Sequence, residues 1–215
     1  MAPASLRCDP SPPPRDAVAK TLAYYEAHAR DFWDGTRSHD VSQNIDALLG
    51  ALPRDRPLRI LDLGCGPGRD LVELVRRGHD VVGLDGCRAF VEMARAHAGV
   101  EVLHQDLLRL DLPPATFDGI FANASLFHVP RVRLPQVLAR LRNALREGGV
   151  LFCSNPRGDN HESWADGRYA CFLDLDVWRE LFVAARFDEI RHYYRPERRP
   201  REEQPWLAML WRRGA

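Results

Sequence analysis

The sequence predicts an α/β protein in which strands and helices alternate around a mostly parallel sheet. Residues 60–68 read ILDLGCGPG, an apolar stretch that breaks into glycines and is followed by a helical pattern. Continuous apolar stretches are typical of strands buried on both faces of a parallel sheet. Residues 80–85 (DVVGLD) and 117–122 (FDGIFA) repeat the pattern of an apolar strand that ends beside a polar residue. This alternation predicts a ligand site at the carboxyl edge of the sheet.

The glycine-rich turn after the first strand indicates a nucleotide-type cofactor. Gly64, Gly66 and Gly68 have the G-x-G-x-G spacing, which permits a tight strand-to-helix turn and a close approach of backbone to ligand. Asp85 follows Gly64 by about 20 positions, the spacing at which an acid meets the hydroxyl groups of a ribose. We therefore expect a cofactor over the carboxyl end of the first strand.

Two further strand ends carry polar side chains that we expect at the same edge. A strand over residues 100–104 precedes Gln105 and Asp106, and an acid here is suited to contact an adenine amino group. The strand over residues 117–122 is followed by Asn123, which is placed to hold donor or acceptor by hydrogen bonds. Ligands of open α/β sheets bind at this edge.

The remaining elements follow from helical periodicity and from helix-breaking residues. We predict a long polar loop over residues 154–169, and loops of more than about 12 residues are usually functional or disordered. A helix that ends at Gly148 and Gly149 precedes a fifth strand, and a helix to residue 185 begins at Asp174 or Asp176. The predicted helices span residues 16–32, 42–52, 69–77, 88–98, 132–146 and 174–185, and the last three strands span residues 150–154, 187–194 and 206–212.

Length and composition indicate a single domain. With 215 residues, of which 45% are hydrophobic, the chain can build one sizeable core. Its formal net charge of zero gives no bias towards nucleic acid or an anionic membrane, and no long apolar run predicts a membrane span. The five cysteines lack metal-ligand spacing and are typical of a reducing compartment, so we expect no metal and a cytoplasmic location. We expect a disordered proline-rich tail (1–15), a helical lid (16–54) and a core (55–215).

The glycine motif differs from that of dinucleotide-binding sites. Those sites have the spacing G-x-G-x-x-G, whereas this chain has D-x-G-x-G-x-G, with Asp62 ahead of the glycines. Together, Asp62, the glycines, Asp85, Gln105-Asp106 and residues 117–128 resemble class I S-adenosylmethionine-dependent methyltransferases. The resemblance implies a Rossmann-like, seven-stranded, mostly parallel sheet with helices on both faces. It also implies S-adenosylmethionine as the cofactor, with S-adenosylhomocysteine as its product; a nicotinamide enzyme or an inactive fold relative is the alternative. The expected cofactor-binding residues are Tyr25, Trp33, Asp62, Gly64, Cys65, Gly66, Gly68, Asp85, Gly86, Gln105, Asp106, Leu107 and Asn123.

Methyl transfer requires a nucleophile held in line with the leaving sulfur, and a base is needed only if that nucleophile arrives protonated. We take Asn123 and His128 as the catalytic candidates, and the further candidate bases are His39, Tyr24 and Tyr25. The alternative for His128 is a hydrogen-bonded residue that shapes the floor of the pocket. For Cys65, a small residue that fits the turn is favoured over a reactive nucleophile.

Four segments resemble a narrower family. Residues 24–44, 121–130, 154–160 and 192–208 are similar to the C-terminal methyltransferase domain of the ovothiol A biosynthetic enzymes and to their stand-alone relatives in ovothiol and ovoselenol pathways. The resemblance implies methylation of the imidazole nitrogen nearest the backbone (Nπ) in 5-thiohistidine or 5-selenohistidine. The preceding sulfur-inserting module of that family is absent here, which implies a separate sulfur- or selenium-inserting synthase as partner, or an excised domain.

We expect five polar or aromatic residues on loops near the same edge of the sheet, namely Asn155, Arg157, Arg168, Tyr169 and Arg195. Arginine forks suit carboxylates, so we expect a small acceptor that carries one. Arg157 or Arg195 would clamp the carboxylate, and we predict that Arg157→Ala raises the Michaelis constant of the acceptor without changing donor binding. Asp40 or a tyrosine would meet the amine, and an aromatic wall from Tyr24, Trp33 or Tyr169 would hold the ring. The expected acceptor-binding residues are Tyr24, Arg37, His39, Asp40, Asn155, Arg157, Tyr169 and Arg195.

The sequence leaves three alternatives open. The acceptor could be another small amino-acid-like metabolite, or the chain could be a regulatory subunit that binds the donor without chemistry. The chain could act as a monomer or a homodimer. No basic stripe with interleaved aromatic residues predicts a nucleic acid acceptor, and no membrane partner is expected.

Overall fold

The computed structural model describes residues 16–215, so the expected tail at residues 1–15 lies outside the described residues. Nine strands are formed by these residues. They are β1 (Arg59–Leu63), β2 (Asp80–Asp85), β3 (Val102–His104), β4 (Phe117–Asn123), β5 (Leu145–Pro156), β6 (His161–Ala165), β7 (Arg168–Phe172), β8 (Phe187–Arg195) and β9 (Trp206–Arg213). The helices are α1 (Ala17–Ala27), α2 (Ala29–Thr36), α3 (Ser42–Gly50), α4 (Arg69–Arg76), α5 (Arg88–Ala98), α6 (Leu134–Ala144) and α7 (Leu175–Ala184).

The expected seven-stranded, mostly parallel sheet is confirmed. Its strand order is β3-β2-β1-β4-β5-β9-β8, and β6 pairs with β7 in a separate hairpin. The first five strands are parallel, and β9 is antiparallel to both β5 and β8. The strand order reverses between β1 and β4, and ligands of open α/β sheets bind at the carboxyl end of the strands at such a switch point.

Helices cover both faces of the sheet because successive strand residues alternate between two apolar clusters. Ile60 packs in a cluster with α3 residues such as Leu48, whereas its neighbour Leu61 packs in a cluster that contains Trp178 of α7. Both Ile60 and Leu61 are fully buried. β1 is thus buried on both faces, as its apolar sequence predicts.

Helix α1 lies against the carboxyl edge of the sheet between the β6–β7 hairpin and α5. The backbone amide of Tyr169 donates a 2.9 Å hydrogen bond to the hydroxyl of Thr21. At the other side, the carboxylate of Glu26 accepts hydrogen bonds from the amides of Arg88 and Ala89 at the start of α5. These contacts attach α1 to the edge where the polar strand ends meet.

The expected single helix over residues 16–32 is wrong, because two helices form. The chain leaves helical geometry at His28 (φ −121°, ψ 20°), and α2 then continues to Thr36. The backbone amide of His28 still donates to the carbonyls of Tyr24 and Tyr25, so the break is a tight one. Residues 33–36, which were expected between the two predicted helices 16–32 and 42–52, therefore belong to α2.

The expected loop over residues 154–169 is also wrong. β5 runs on to Pro156, and a hairpin occupies residues 161–172. Asp166 (φ 50°) and Gly167 (φ 80°) form its two-residue turn, and Asp-Gly is a strong hairpin signal. The helix expected to end at Gly148-Gly149 ends at Ala144 instead, because Leu145 is already extended and opens β5. Asp174, rather than Asp176, caps α7 by accepting from the amide of Val177.

None of the helices formed by residues 16–215 combines the length and apolar character needed to cross a bilayer.

Candidate active site

The glycine loop between β1 and α4 is shaped by left-handed backbone conformations. Gly64 (φ 72°) and Gly68 (φ 95°) adopt angles that favour glycine. A Cβ at Gly64 would lie 2.5 Å from that of Ser125, and a Cβ at Gly68 would lie 2.8 Å from the Cα of Ala94. Glycine is therefore required here both for the turn and for the close approach of α5.

A small cavity of about 90 Å³, here called the inner cavity, lies under α1 at the ends of β1, β2 and β4. Its apolar wall includes Leu22 and Phe90, and polar groups enter from the strand ends and from α1. The residues that line it are Val18, Thr21, Leu22, Tyr25, Phe32, Gly64, Gly66, Asp85, Gly86, Phe90, Asp106, Leu107, Ala124, Ser125, His128 and Val129.

Asp85 is the buried acid of the inner cavity. Its carboxylate accepts hydrogen bonds from the amides of Gly66 (2.9 Å) and Cys87 (2.8 Å), so it also fixes the glycine loop. Burial raises the pKa of Asp85 to about 6, although the hydrogen bonds from these backbone amides act in the opposite direction. At neutral pH the charged carboxylate faces the inner cavity, where it can accept hydrogen bonds from ligand hydroxyl groups.

Asp62 provides an unpartnered acceptor under the glycine loop. The residue is 2% exposed, and its Oδ2 atom has no hydrogen-bond partner among the described residues. Burial, together with the neighbouring charge of Asp70, raises the pKa of Asp62 well above its usual range. A buried carboxylate oxygen without a partner is unfavourable, so this position suits a hydrogen-bond donor from a ligand.

A larger cavity of about 640 Å³, here called the outer cavity, opens on the other side of the glycine loop. Its walls combine aromatic rings with charged side chains of both signs. The lining residues are Tyr25, Phe32, Trp33, Thr36, His39, Asp40, Val41, Gly64, Cys65, Gly66, Pro67, Arg69, Asp70, Asn123, Ala124, Phe127, Ser154, Arg168, Arg195, Pro196 and Trp206.

The two cavities share Tyr25, Phe32, Gly64, Gly66 and Ala124. These residues form the boundary at which a ligand in the inner cavity meets one in the outer cavity. The Tyr25 and Phe32 rings pack edge to face, with centroids 5.4 Å apart. Since group transfer requires the reacting atoms to lie within about 3–3.5 Å of each other, this boundary is the candidate place of reaction.

Tyr25 and His128 form a hydrogen-bonded pair at this boundary, and the geometry assigns their protons. Nδ1 of His128 lies 2.7 Å from the carbonyl oxygen of Tyr169, which only accepts, so Nδ1 carries a hydrogen. Burial lowers the pKa of His128 to about 4, so the ring is neutral at pH 7 and Nε2 is an acceptor. The Tyr25 hydroxyl lies 2.9 Å from Nε2 and therefore donates its proton to His128.

The side-chain amide of Asn123 is held between two neighbours. Its oxygen accepts from Asn44 (3.0 Å), and its nitrogen donates to Asp70 (3.2 Å). Asp70 also accepts two hydrogen bonds from the guanidinium of Arg69. The same guanidinium donates a hydrogen bond to the backbone carbonyl of Thr36 in α2. Asn123 therefore links β4, α3 and α4 at the wall of the outer cavity.

The structure brings many of the expected residues to these cavities. The inner cavity includes the expected cofactor residues Asp85, Gly86, Asp106 and Leu107, and the outer cavity includes Trp33, Cys65 and Asn123. Trp33 stacks on His97, with ring centroids 4.4 Å apart. Of the expected acceptor residues, the outer cavity includes His39, Asp40 and Arg195.

Other expected site residues lie elsewhere. Arg157 lines a separate cavity with Asp174 and Tyr194, and its guanidinium donates to the carbonyl of Arg201. The side-chain amide of Gln105 donates to the backbone carbonyl of Asp111 and accepts from its backbone amide. The exposed Arg37 lies beside Asp34.

Three more of the expected acceptor residues surround the site without lining it. Asn155 is fully buried in β5, opposite Leu207. Tyr169 is 1% exposed and presents its backbone carbonyl, rather than its ring, to His128. Tyr24 stacks on His28, with ring centroids 4.2 Å apart.

Asn44 was not among the expected site residues, and Arg168 was expected on a loop near this edge of the sheet. Arg168 lines the outer cavity, where its guanidinium carbon lies 5.2 Å from the Tyr24 ring centroid and 5.8 Å from that of Tyr25. The Asp-Gly turn at residues 166–167 predicts a hairpin that includes Arg168. No sequence pattern predicts that this hairpin packs against α1. Asn44, a polar residue on the apolar face of the predicted second helix, was a signal of a buried polar contact.

Comparison with known proteins identifies related chains. The methyltransferase domain family matches residues 60–149. A trans-aconitate 2-methyltransferase of Azoarcus sp. (strain BH72) is 39% identical over 121 residues, which cover 54% of this chain and 46% of that protein. An uncharacterized methyltransferase of Mycobacterium tuberculosis (strain ATCC 25618 / H37Rv) is 35% identical over 111 residues, or 50% of this chain and 55% of that one. The chain spans about half the length of these curated relatives.

Solved structures extend the likeness over the whole chain. The 1,6-didemethyltoxoflavin-N1-methyltransferase of Burkholderia thailandensis, solved with 1,6-didemethyltoxoflavin and S-adenosylhomocysteine, is 26% identical with a TM-score of 0.73, and the match covers 100% of this chain and 95% of that one. A S-adenosylmethionine-dependent methyltransferase of Leishmania major has a TM-score of 0.77 at 20% identity, over 97% of this chain and 88% of that one, which is a likeness of fold.

Proposed function

We propose that this chain, a class I S-adenosylmethionine-dependent methyltransferase by its fold and by the family of its residues 60–149, methylates the Nπ atom of 5-thiohistidine or 5-selenohistidine. The product would be ovothiol A or ovoselenol. The proposal joins two lines of support, which are the resemblance of four segments of the sequence to that family and the chemistry of the outer cavity.

The observation that carries the proposal is the state of Arg195. Its Nε atom is buried in the wall of the outer cavity and has no hydrogen-bond partner among the described residues. A buried donor without a partner is unfavourable, and the guanidinium fork matches a carboxylate. One guanidinium nitrogen of Arg195 lies 3.5 Å from the backbone oxygen of Asp40, a residue that lines the same cavity and whose carboxylate accepts a 2.9 Å hydrogen bond from the amide of Ser42. An arginine beside an aspartate suits the carboxylate and ammonium of an amino acid.

The inner cavity marks the end of the site that would receive the adenosine half of the donor. At about 90 Å³ it is smaller than an adenosine, so its walls have to move apart when the donor binds. Asp85 is placed to accept from the ribose hydroxyls, and Asp106 and Leu107 line the end that would receive the adenine. Asp62 lines neither cavity and lies beneath the glycine loop, where its unpartnered oxygen is the candidate acceptor for the ammonium group of the donor's methionine moiety. When bound, S-adenosylmethionine supplies a methyl group that is already activated by the positive charge on sulfur.

Aromatic side chains would hold the acceptor ring and exclude water from it. Trp33, Phe127 and Trp206 line the outer cavity, and Phe127 and Trp206 pack edge to face with centroids 6.3 Å apart. Aromatic walls favour a planar, polarizable ring such as an imidazole that carries sulfur or selenium. Their role is positioning, which supplies a large part of the rate enhancement when the reacting groups are already activated.

The relatives support part of the proposal. The Burkholderia protein is named for methylation at a nitrogen of a heterocycle, which is the same kind of acceptor atom. The Azoarcus protein is named for methylation of trans-aconitate, a carboxylic acid. A carboxylic acid is therefore the second candidate acceptor, and the presence of both Arg168 and Arg195 in the outer cavity favours it.

The test is calorimetric titration of the S-adenosylhomocysteine-loaded protein with 5-thiohistidine, 5-selenohistidine, histidine and trans-aconitate. Turnover with S-adenosylmethionine follows, with the product mass and the methylated nitrogen assigned by mass spectrometry and NMR. We expect binding of the histidine chalcogenols and a single Nπ-methyl product. Binding of trans-aconitate with formation of a methyl ester would favour the second candidate, and no product from either class would refute both.

A further inference from the structure

We infer that the Tyr25 hydroxyl and the Arg168 guanidinium together bind one edge of the acceptor ring and thereby decide which atom receives the methyl group. The inference rests on the proposed function and adds to it the residues that select nitrogen over sulfur or selenium. A thiolate or selenolate is a strong nucleophile, so the selection has to come from orientation.

The oxygen of Tyr25 is an acceptor towards the cavities. Its only proton is donated to Nε2 of His128, which is locked as an acceptor because Nδ1 donates to the carbonyl of Tyr169. One lone pair of the Tyr25 oxygen faces Arg168, and the other can accept a hydrogen bond from a ligand N–H group. The same lone pairs repel an anionic chalcogen.

Arg168 is the complementary donor beside Tyr25. Its guanidinium carbon lies 5.8 Å from the centroid of the Tyr25 ring, and both side chains line the outer cavity. Arg168 is paired with Asp166 at 3.6 Å, whose side chain is 73% exposed, and an exposed pair of this kind is weak. Burial raises the pKa of Tyr25, whereas the charge of Arg168 and its hydrogen bond to the Tyr25 hydroxyl act in the opposite direction. The guanidinium N–H groups that do not face Tyr25 can bind a ligand anion.

The acceptor presents the matching pair of groups. In 5-thiohistidine and 5-selenohistidine the chalcogen is bonded to the ring carbon next to Nτ, so one edge of the ring carries an Nτ–H donor beside an anionic acceptor. If Nτ–H donates a hydrogen bond to the Tyr25 oxygen and the chalcogenolate pairs with the Arg168 guanidinium, both groups of that edge are bound by the protein. Nπ lies on the opposite side of the ring and is the atom left to face the boundary between the cavities.

The electron balance of the transfer agrees with this arrangement. The Nπ–carbon bond forms from the ring lone pair as the donor's sulfur–carbon bond breaks, and the positive charge passes from the sulfonium to the ring. No proton has to leave, because Nτ–H stays on the ring while its hydrogen bond to Tyr25 strengthens. An interaction that strengthens as charge develops accelerates the reaction. Tyr25 is thus a catalytic residue that contacts the substrate, and His128 is a positioning residue.

Two substitutions in the full chain test the inference. Tyr25→Phe keeps the packing on Phe32 and Phe90 but removes the acceptor oxygen. We expect the ratio of Nπ-methyl to chalcogen-methyl product to fall at least tenfold. In Arg168→Gln, we expect the preference of kcat/KM for 5-thiohistidine over histidine to fall at least tenfold. Arg157→Gln, which changes an arginine of the separate cavity, is the control and should leave both ratios unchanged.

Titration with S-adenosylhomocysteine reports whether each variant retains the donor site. If the wild-type protein makes the Nπ product, and both variants keep the wild-type product ratio and the wild-type preference for 5-thiohistidine, the inference is wrong while the proposed function stands. If the wild-type protein methylates neither histidine chalcogenol, the proposed function fails and the inference fails with it.

Discussion

The amide nitrogen of Asn44 donates a 3.0 Å hydrogen bond to the side-chain oxygen of Asn123, which ties α3 to the carboxyl end of β4. Asn44 is fully buried, and its own oxygen accepts a 3.0 Å bond from the hydroxyl of Tyr193. Asn123 passes the connection on to Asp70. A chain of polar side chains thus runs from Tyr193 on the edge strand β8 to Asp70 in the first turn of α4, and Asn123 is a link within it.

Replacing Asn44 should loosen this chain at its centre. Asn44→Ala leaves a buried donor and a buried acceptor unpaired, so we expect the free energy of unfolding to fall by about 2–4 kcal/mol. Chemical denaturation measures this change. Tyr193→Phe removes a single hydroxyl from the end of the chain and should cost about 1 kcal/mol. Equal losses in the two variants would show that Asn44 has no special place in the network.

Arg195 and Arg157 offer a matched pair for the acceptor carboxylate. We expect Arg195→Ala to raise the Michaelis constant of the acceptor at least tenfold while the affinity for S-adenosylhomocysteine stays within twofold, because a charged hydrogen-bonded pair contributes about 1.5–3 kcal/mol. Arg157→Ala should change neither value, since Arg157 lines a separate cavity. Steady-state kinetics separates the two. If Arg157→Ala raises the Michaelis constant and Arg195→Ala does not, Arg157 is the residue that binds the acceptor carboxylate.

Asp85 should make donor binding depend on pH. Its pKa is raised to about 6 by burial, so the carboxylate is charged at pH 7 and protonated at pH 5. If the charged form accepts from the ribose, the affinity for S-adenosylhomocysteine falls about tenfold from pH 7 to pH 5. Calorimetry at each pH measures this. Asp85→Asn should bind weakly and nearly independently of pH, and a variant that keeps the wild-type slope would assign the titration to another group.

Asp118 should contribute stability that depends on its charge. Although burial acts to raise its pKa, the hydrogen bonds from Arg56, the Arg59 amide and Arg146 hold the pKa of Asp118 well below its usual range. Because the pKa of Asp118 is lower in the folded state than in the unfolded state, its charge stabilises the fold at pH values above its unfolded-state pKa of about 4. This stabilisation is lost as the pH falls below that value towards the folded-state pKa. We expect Asp118→Asn to lose about 3 kcal/mol at pH 7 and progressively less towards pH 3.

The control for this prediction is Asp80→Asn, which breaks the ion pair of Asp80 with Arg59. The Asp80 side chain is 57% exposed, so its loss should cost less than about 1 kcal/mol. Urea titrations of both variants between pH 3 and pH 7 make the comparison. A similar loss from both would indicate that burial of Asp118 adds nothing to its ion pairs.

The strand edge of the site could be predicted from sequence because it depends on local patterns. Apolar strands place Asp85 and Asn123 at their carboxyl ends, and the glycine spacing places Gly64 and Gly66 beside them. The helical side of the site was harder to predict. The roles given to Arg157, Tyr169 and Asn155 rested on the expected loop over residues 154–169, but the Asp-Gly turn folds most of that segment into a hairpin. The hairpin brings Arg168 to the outer cavity and leaves Arg157 elsewhere.

The sequence by itself predicted the alternation of strands and helices, the polar strand ends and the glycine loop, because each depends on the periodicity of a short segment or on the backbone freedom of glycine. The seven strands and their mostly parallel order were implied by the resemblance to methyltransferases, and the switch point was found in the tertiary structure. Only the tertiary structure decided the protons of Tyr25 and His128, whose hydrogen bond joins residues 103 positions apart. The tertiary structure also decided that Tyr25 lies at the boundary between the inner and outer cavities and that Nε of Arg195 has no partner among the described residues. These depend on which side chains from distant segments meet in a buried place, and burial decides both the pKa of a group and the need for a partner.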